Sequence, residues 1–63
     1  MRDFMREARL ERKLTMQQAA DQLQLSPGYY SMIEHGQRTP SGPVAVRISK
    51  LFDIPLERFF ETV

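Results

Sequence analysis

The side chains of this sequence that could do chemistry are hydrogen-bond donors, and catalytic groups are scarce. The 63 residues include no cysteine and a single histidine, which excludes disulfides and thiolate metal sites. There is no glycine-rich phosphate loop and no pair of carboxylates in a recognisable catalytic spacing. We therefore expect a protein that is not an enzyme and that binds no metal and no cofactor.

Two polar residues have the chemistry to bind an anion. Gln17 lies at the predicted start of a helix, where backbone N–H groups favour negative charge. The alternative for Gln17 is an exposed helix former, and the sequence does not separate the two. Arg38 lies in a polar segment between Gly36 and Pro40, where a guanidinium can hold a phosphate through two parallel hydrogen bonds. Its alternative is a solvated loop charge.

Two short helices joined by a tight connection would position these residues. Thr15 and Ser26 are of the type that accepts a hydrogen bond from the first-turn amides of a helix, and Pro27 suits the first helical position. Gly36 can end the second helix with a positive φ. Both segments have apolar residues at helical spacing: Ala19, Ala20 and Leu23 in the first, and Tyr29, Tyr30 and Ile33 in the second. The pattern predicts a helix-turn-helix.

Three further helices are predicted in the rest of the chain. Residues 2–12 have the spacing of an amphipathic helix, a longer helix follows Ser41 as its N-cap, and residues 55–60 suit a short last helix. Two short helices cannot bury a core alone, so all five must pack together. We find no strand pattern, internal repeat or linker. The sequence therefore predicts an all-α, compact five-helix fold, with residues 1–63 forming one domain.

Composition adds limits on the partners and the compartment. The formal net charge is +1, which neither favours nor excludes a nucleic-acid partner. No apolar run approaches the length of a membrane span, and the first thirteen residues are too charged for a signal peptide. The lack of cysteine is compatible with the reducing cytosol. We expect no membrane association and a cytoplasmic location.

The stretch from Leu14 to Ser41 resembles a known family. Its pattern, LT-x-x-x-x-A-x-x-x-x-x-S-x-x-Y-x-S-x-I-E-x-G-x-R-x-P-S, is similar to the Cro/cI-type (xenobiotic-response-element-like) helix-turn-helix domains. The match extends back to Arg9 and forward to the tail IPLERFF. The resemblance implies a lambda-repressor-like DNA-binding domain whose third helix lies in the major groove. It also implies phosphate contacts from the start of the second helix and from the loop after the third, and an ion pair between Arg9 and Glu34.

Several positions depart from the family pattern. Met16 stands where a phosphate-binding Gln is usual, so Gln17 and Gln18 are the substitutes, and the connection has Gln24 in place of a common Gly. Pro27 and Gly28 occupy positions where relatives often carry base-contacting side chains, and neither can donate a hydrogen bond from its side chain. Direct recognition would fall to Ser26, Tyr30, Ser31 or Met32. Contacts with thymine methyls or recognition of DNA shape would supply the rest.

With the resemblance, the expected partner is double-stranded DNA. Tyr29 would bond a phosphate through its hydroxyl or pack sideways on the core, and Tyr30 is expected in the core with its hydroxyl at the rim. Met32 would contact a thymine methyl or a partner surface, or would be a flexible surface residue. The predicted contact set is Gln17, Ser26, Pro27, Gly28, Tyr29, Ser31, Met32, Arg38 and Thr39.

The resemblance implies a regulator of transcription, and we expect a repressor that binds a palindromic operator as a homodimer. Relatives often dimerise through the C-terminal region, where the apolar residues left over from the core are Val44, Leu51, Leu56 and Phe60. The alternative is a protein-interaction module, for instance an antitoxin-like partner of another protein, that keeps the helix-turn-helix only as a fold. The near-zero net charge and the Pro27–Gly28 pair motivate that alternative.

Overall fold

The computed structural model describes residues 2–60, which form four α-helices and one 3-10 helix. The helices are α1 (Asp3–Glu11), α2 (Met16–Leu23), α3 (Pro27–Glu34) and α4 (Gly42–Phe52), and the 3-10 helix is Leu56–Phe59. No strand occurs among these residues, so the all-α prediction is confirmed. The fifth helix differs from the expectation because its four residues are held by i→i+3 bonds, from Arg58 N–H to Pro55 O and from Phe60 N–H to Glu57 O.

The N-caps of α2 and α3 are the predicted ones. Thr15 Oγ1 accepts from the Gln18 amide at 3.0 Å, and Gln18 Oε1 accepts from the Thr15 amide at 2.9 Å. This reciprocal pair is a complete capping box. Ser26 Oγ accepts from the Tyr29 amide at 3.1 Å. Ser41 precedes α4 in the extended conformation of an N-cap, but its side chain makes no cap hydrogen bond.

Left-handed residues end the helices and turn the chain. Gly36 follows α3 with φ 80°, as predicted. Gln24 adopts φ 60° and ψ 39° between α2 and α3, which is the conformation that the common family Gly would take at lower cost. A non-glycine residue in this region costs roughly 1 kcal/mol. The connection therefore has a left-handed turn residue, although that residue is Gln24 and not the common Gly.

The core is built from small and large side chains of all the helices. Ala19 and Ala20 are fully buried, so the backbone of α2 can approach its neighbours closely. The buried apolar set is Met5, Ala8, Ala19, Ala20, Leu23, Tyr30, Ile33, Val44, Ala45, Ile48, Phe52 and Phe59. At the C-terminal end the rings of Phe4 and Phe59 meet edge to face, with centroids 5.4 Å apart. No helix within residues 2–60 has both the length and the hydropathy to cross a membrane.

Two side chains lie deeper than predicted. Val44 was expected among the apolar residues left over from the core, on a partly exposed edge, but it is 7% exposed and belongs to the core. Helix α4 carries its buried face through positions 44, 45, 48 and 52, so Val44 is part of the inward stripe and is not available to a dimer seam. The hydroxyl of Tyr30 was expected at the rim. It is instead buried, with no hydrogen-bond partner among the described residues.

An ion pair joins α1 to the end of α3. Arg9 Nε and Nη2 donate to the carboxylate of Glu34, the shortest contacts being 3.1 Å. The Glu34 side chain is 1% exposed, and Arg9 Nη1 also donates to Leu14 O at 3.0 Å. The hydrogen bond to Glu34 is the main cause that raises the pKa of Arg9. The pair implied by the family resemblance is therefore present, and it fixes the C-terminal end of α3.

Candidate nucleic-acid interface

The first turn of α2 offers two open amides beside an exposed Gln17. The capping box uses the amides of Thr15 and Gln18, so the N–H groups of Met16 and Gln17 remain without a partner among residues 2–60. Such N–H groups and the positive end of the helix dipole attract an anion. The bond to Oε1 fixes the direction of the Gln18 side chain, and its amide NH₂ can still donate to an anion.

The first turn of α3 is exposed and almost without side-chain donors. Ser26, Pro27 and Gly28 are all exposed, and Tyr29 is half-buried. Ser26 Oγ is committed as the cap acceptor, and Pro27 has no N–H. The amide of Gly28 makes no hydrogen bond within the described chain. A Cβ built on Gly28 would meet nothing within 4 Å, so the backbone here is open to a close approach from outside.

The exposed side of α3 continues through Ser31 and Met32, which are half-buried. His35 Nδ1 lies 2.7 Å from Ser31 O and 3.2 Å from Ser31 Oγ. Because a carbonyl only accepts, Nδ1 must carry the proton. Ser31 Oγ can then only accept from His35 Nδ1, and the Ser31 O–H remains able to donate to a partner. Met32 remains as a flexible apolar side chain next to it.

The loop after α3 is folded back onto the end of the helix. The amides of Gln37 and Arg38 both donate to Met32 O, at 2.9 and 3.2 Å. Pro40 is buried and anchors the loop, whereas the side chains of Arg38 and Thr39 are exposed. Two loop residues with donor side chains are therefore presented on a backbone with fixed hydrogen bonds.

The charges around α3 and α4 are one-sided. Between Asp21 and Asp53 the sequence has one carboxylate, that of Glu34, and Arg9 neutralises it. The same stretch carries three exposed basic side chains, Arg38, Arg47 and Lys50. The exposed acidic residues of the first helix are Asp3, Glu7 and Glu11. The small net charge of the chain therefore conceals a segment that is locally basic, which favours a polyanionic partner.

Comparison with known proteins identifies this architecture. The family model described as "Helix-turn-helix" matches residues 5–59. The chain belongs to the helix-turn-helix family. A relative is the uncharacterized HTH-type transcriptional regulator YqaF of Bacillus subtilis (strain 168), which is 36% identical over 63 residues, covering all of this chain and 83% of the relative. No solved structure matches the chain significantly.

Within this helix-turn-helix domain, the predicted contact residues are all accessible. None of the nine lies in the core: Gln17, Ser26, Pro27, Gly28, Arg38 and Thr39 are exposed, and Tyr29, Ser31 and Met32 are half-buried. They fall on the start of α2, the outer side of α3 and the loop after it. Contact with DNA remains a prediction for each of them. Within residues 2–60, no group of three or more His, Cys, Asp or Glu side chains could hold a metal ion.

Sequence reasoning missed one residue that helps to build this helix-turn-helix surface. In the sequence, Arg2 is only one of the many charges of the first thirteen residues. It is half-buried, and Nη1 donates to Ile33 O at 2.6 Å and to Arg38 O at 3.0 Å. No local pattern predicts a contact across 31 and 36 residues. The available signal was only that α3 ends without a basic residue in its last turn, which leaves its carbonyl groups to be satisfied from elsewhere.

Proposed function

We propose that this chain is a sequence-specific, double-stranded-DNA-binding transcriptional regulator that acts in the cytoplasm as a repressor. The observation that carries the proposal is the exposed surface formed by the α2 and α3 N-termini and the loop at Arg38. Open amides, polar side chains and the exposed basic side chain of Arg38 coincide there. A membership in the helix-turn-helix family and a relative named as a transcriptional regulator support the same conclusion.

In the proposed complex α3 lies in the major groove with its N-terminal end toward the bases. Gln17, with the open amides of Met16 and Gln17, would bind one phosphate, and Arg38 would bind another. These backbone contacts set the register and carry no sequence information. Sequence recognition would depend on the amide of Gly28, on Ser26 and on apolar contact between Met32 and thymine methyls. The shortage of side-chain donors favours a further contribution from DNA shape.

We also propose that two copies bind a palindromic operator and that the occupied operator blocks a promoter sterically. Support comes from apolar side chains near the C-terminal end: Phe60 is 51% exposed, Leu56 is 37% exposed and Leu51 is half-buried. Val44 is buried in the core and is not available for this dimer contact. A two-fold dimer would place the two α3 helices on half-sites about 34 Å apart.

Selection of bound duplexes from a random pool, followed by a salt titration of the best sequence, tests this function. The proposal predicts a symmetric motif with half-sites one turn apart. Affinity should fall linearly on a log–log plot against salt, with a slope near −0.9 per neutralised phosphate. Arg38→Gln should make the slope less steep by about 1, and Arg6→Gln, at an exposed position on α1, is the matched control. A motif with a single half-site would contradict the dimer.

The alternative function, a protein-interaction module, is favoured by one observation. Pro27 and Gly28 are exposed at the tip of α3 and offer no side-chain donor to a base. In that case the same surface would bind a partner protein, as an antitoxin-like module does. The salt titration separates the two functions, because a module of this kind would bind no duplex or would show a flat response to salt.

A further inference from the structure

The carbonyl groups at the C-terminal end of α3 are all satisfied, and Arg2 satisfies two of them. A helix leaves its last four carbonyl groups without intrahelical partners. Ser31 O accepts from the His35 amide and Met32 O accepts from the loop amides. Ile33 O accepts from the Gly36 amide and from Arg2 Nη1 at 2.6 Å. Glu34 O accepts from the backbone N–H of Arg2 at 2.8 Å.

The same guanidinium also holds the loop that follows. Arg2 Nη1 donates to Arg38 O at 3.0 Å, so one nitrogen joins the end of α3 to the backbone of the loop residue that presents the Arg38 side chain. The cation also lies at the negative end of the α3 dipole, where a positive charge is favoured. The chain before α1 is distant in sequence from the end of α3 and the loop that follows it, and Arg2 joins it to both.

We propose that Arg2 is a positioning residue for DNA binding, which fixes the Arg38 loop relative to α3 without contacting the DNA itself. This inference rests on the function proposed above. Besides Arg2, the loop between Gly36 and Pro40 is held by the Gly36 amide on Ile33 O, by the two amide bonds to Met32 O and by the buried ring of Pro40. Phosphate contacts must match a fixed spacing on the duplex. A loop that moves relative to α3 therefore loses affinity even when the Arg38 side chain is intact.

A first experiment measures the loop without DNA. Amide hydrogen exchange is compared between wild type, Arg2→Gln and the control Arg6→Gln. Arg6 carries the same charge, lies one helical turn after Arg2 and is exposed. The proposal predicts exchange roughly tenfold faster at the Gln37 and Arg38 amides in Arg2→Gln, because local opening becomes easier. The Leu25 amide, which donates to Ala20 O, should be unchanged. Equal exchange at Gln37 and Arg38 in wild type and Arg2→Gln would overturn the proposal.

A second experiment is a double-mutant cycle on duplex affinity with Arg2→Gln, Arg38→Gln and the double variant. Arg2→Gln should weaken binding by about tenfold in the wild-type background, as expected for loss of a hydrogen bond with a charged group. In the Arg38→Gln background it should weaken binding less than about twofold, because the loop then has no phosphate contact to position. Arg6→Gln should show equal losses in both backgrounds. Equal losses for Arg2→Gln would overturn positioning and indicate an independent contact.

Two further outcomes are informative. Arg2→Lys keeps the charge but ends one bond earlier, so it should restore folding if Arg2→Gln is poorly folded while still loosening the loop. Wild-type exchange rates at Gln37 and Arg38 together with wild-type duplex affinity for Arg2→Lys would contradict the proposal. If the wild-type chain binds no duplex, the proposed function fails and the DNA role of Arg2 fails with it. The exchange experiment would then still report whether Arg2 holds the loop.

Discussion

The two ends of α3 differ in almost every physical respect. At the N-terminal end Ser26, Pro27 and Gly28 are exposed, and one side-chain bond, to Ser26 Oγ, caps the helix. At the C-terminal end Ile33 and Glu34 are buried, the last carbonyl groups are satisfied, and an ion pair ties the helix to α1. The C-terminal end of α3 is therefore fixed to the rest of the fold, and its N-terminal end is exposed to solvent. Substitutions at the N-terminal end should change the stability little, whereas substitutions at the C-terminal end should lower it.

The largest expected effect is at the buried end. Glu34→Gln removes one partner of a buried ion pair and leaves Arg9 uncompensated, so the free energy of unfolding should fall by about 3–5 kcal/mol. Urea denaturation followed by circular dichroism measures this loss. Glu7→Gln, at an exposed position on α1, is the matched control and should change little. A urea midpoint of Glu34→Gln equal to that of wild type would show that the ion pair does not anchor the C-terminal end of α3.

A smaller effect, of opposite sign, is expected in the middle of α3. Tyr30→Phe removes a buried hydroxyl that lies near the Glu34 carboxylate but makes no well-formed hydrogen bond with the described residues, so the variant should be up to about 1 kcal/mol more stable. Burial raises the pKa of the Tyr30 phenol. Folding therefore favours the protonated phenol. Its contribution to the free energy of unfolding is complete below the unfolded pKa of about 10 and is lost as pH rises through the pKa of the folded state. The stability gap between Tyr30→Phe and wild type should widen above pH 10, and a constant gap would contradict the assignment.

The exposed end can be examined with a matched pair of serines. Ser26 and Ser41 both precede a helix in extended conformation, but only the Ser26 side chain accepts a cap hydrogen bond. Ser26→Ala should therefore cost about 1 kcal/mol of unfolding free energy. Ser41→Ala should cost much less in the same denaturation assay. Equal losses would show that the two caps do not differ in the way described.

The smallest effect is expected at the tip of α3. Gly28→Ala adds a methyl group that meets nothing within 4 Å and raises helix propensity, so the domain should gain up to about 1 kcal/mol. Gly36→Ala is the contrasting change because Gly36 has φ 80°, and it should destabilise the domain. Thermal unfolding of the two variants separates these signs. A loss of stability in Gly28→Ala would mean that the first turn of α3 has no room for the added methyl group.

Local chemistry in the sequence predicted much of this fold. Thr15, Ser26 and Gly36 act within a few residues of themselves, so their roles as caps and helix end follow from the neighbouring sequence. The burial of Val44 was not predicted because a helix of this composition has two apolar edges, and packing decides which one faces inward. The contacts of Arg2 and the burial of the Tyr30 hydroxyl depend on elements more than thirty residues apart or on the full core. No local pattern contains that information.

The candidate surface was predicted through family resemblance more than through spacing alone. Gln17 and Arg38 had ordinary alternatives that the sequence could not remove, and their exposure in the structure is compatible with either role. The structure added which side-chain oxygens already accept a hydrogen bond: Gln18 Oε1 in the capping box, Ser26 Oγ in its cap and Ser31 Oγ beside His35 Nδ1. These oxygens are therefore already engaged within the chain. The open backbone amides of Met16, Gln17 and Gly28 remain as donors for a partner, and no inspection of side-chain types would have found them.

The most direct test of the central claim is a footprint of duplex DNA on the protein by NMR. A ¹⁵N-labelled sample is titrated at low salt with a duplex selected from the random pool, and amide shifts are mapped on residues 2–60. We expect the largest changes at residues 16–18, 26–32 and 36–41, with small ones at the exposed Leu10 and Glu7. Changes confined to α1 or to Leu56–Phe60, or no change at all, would contradict the central claim.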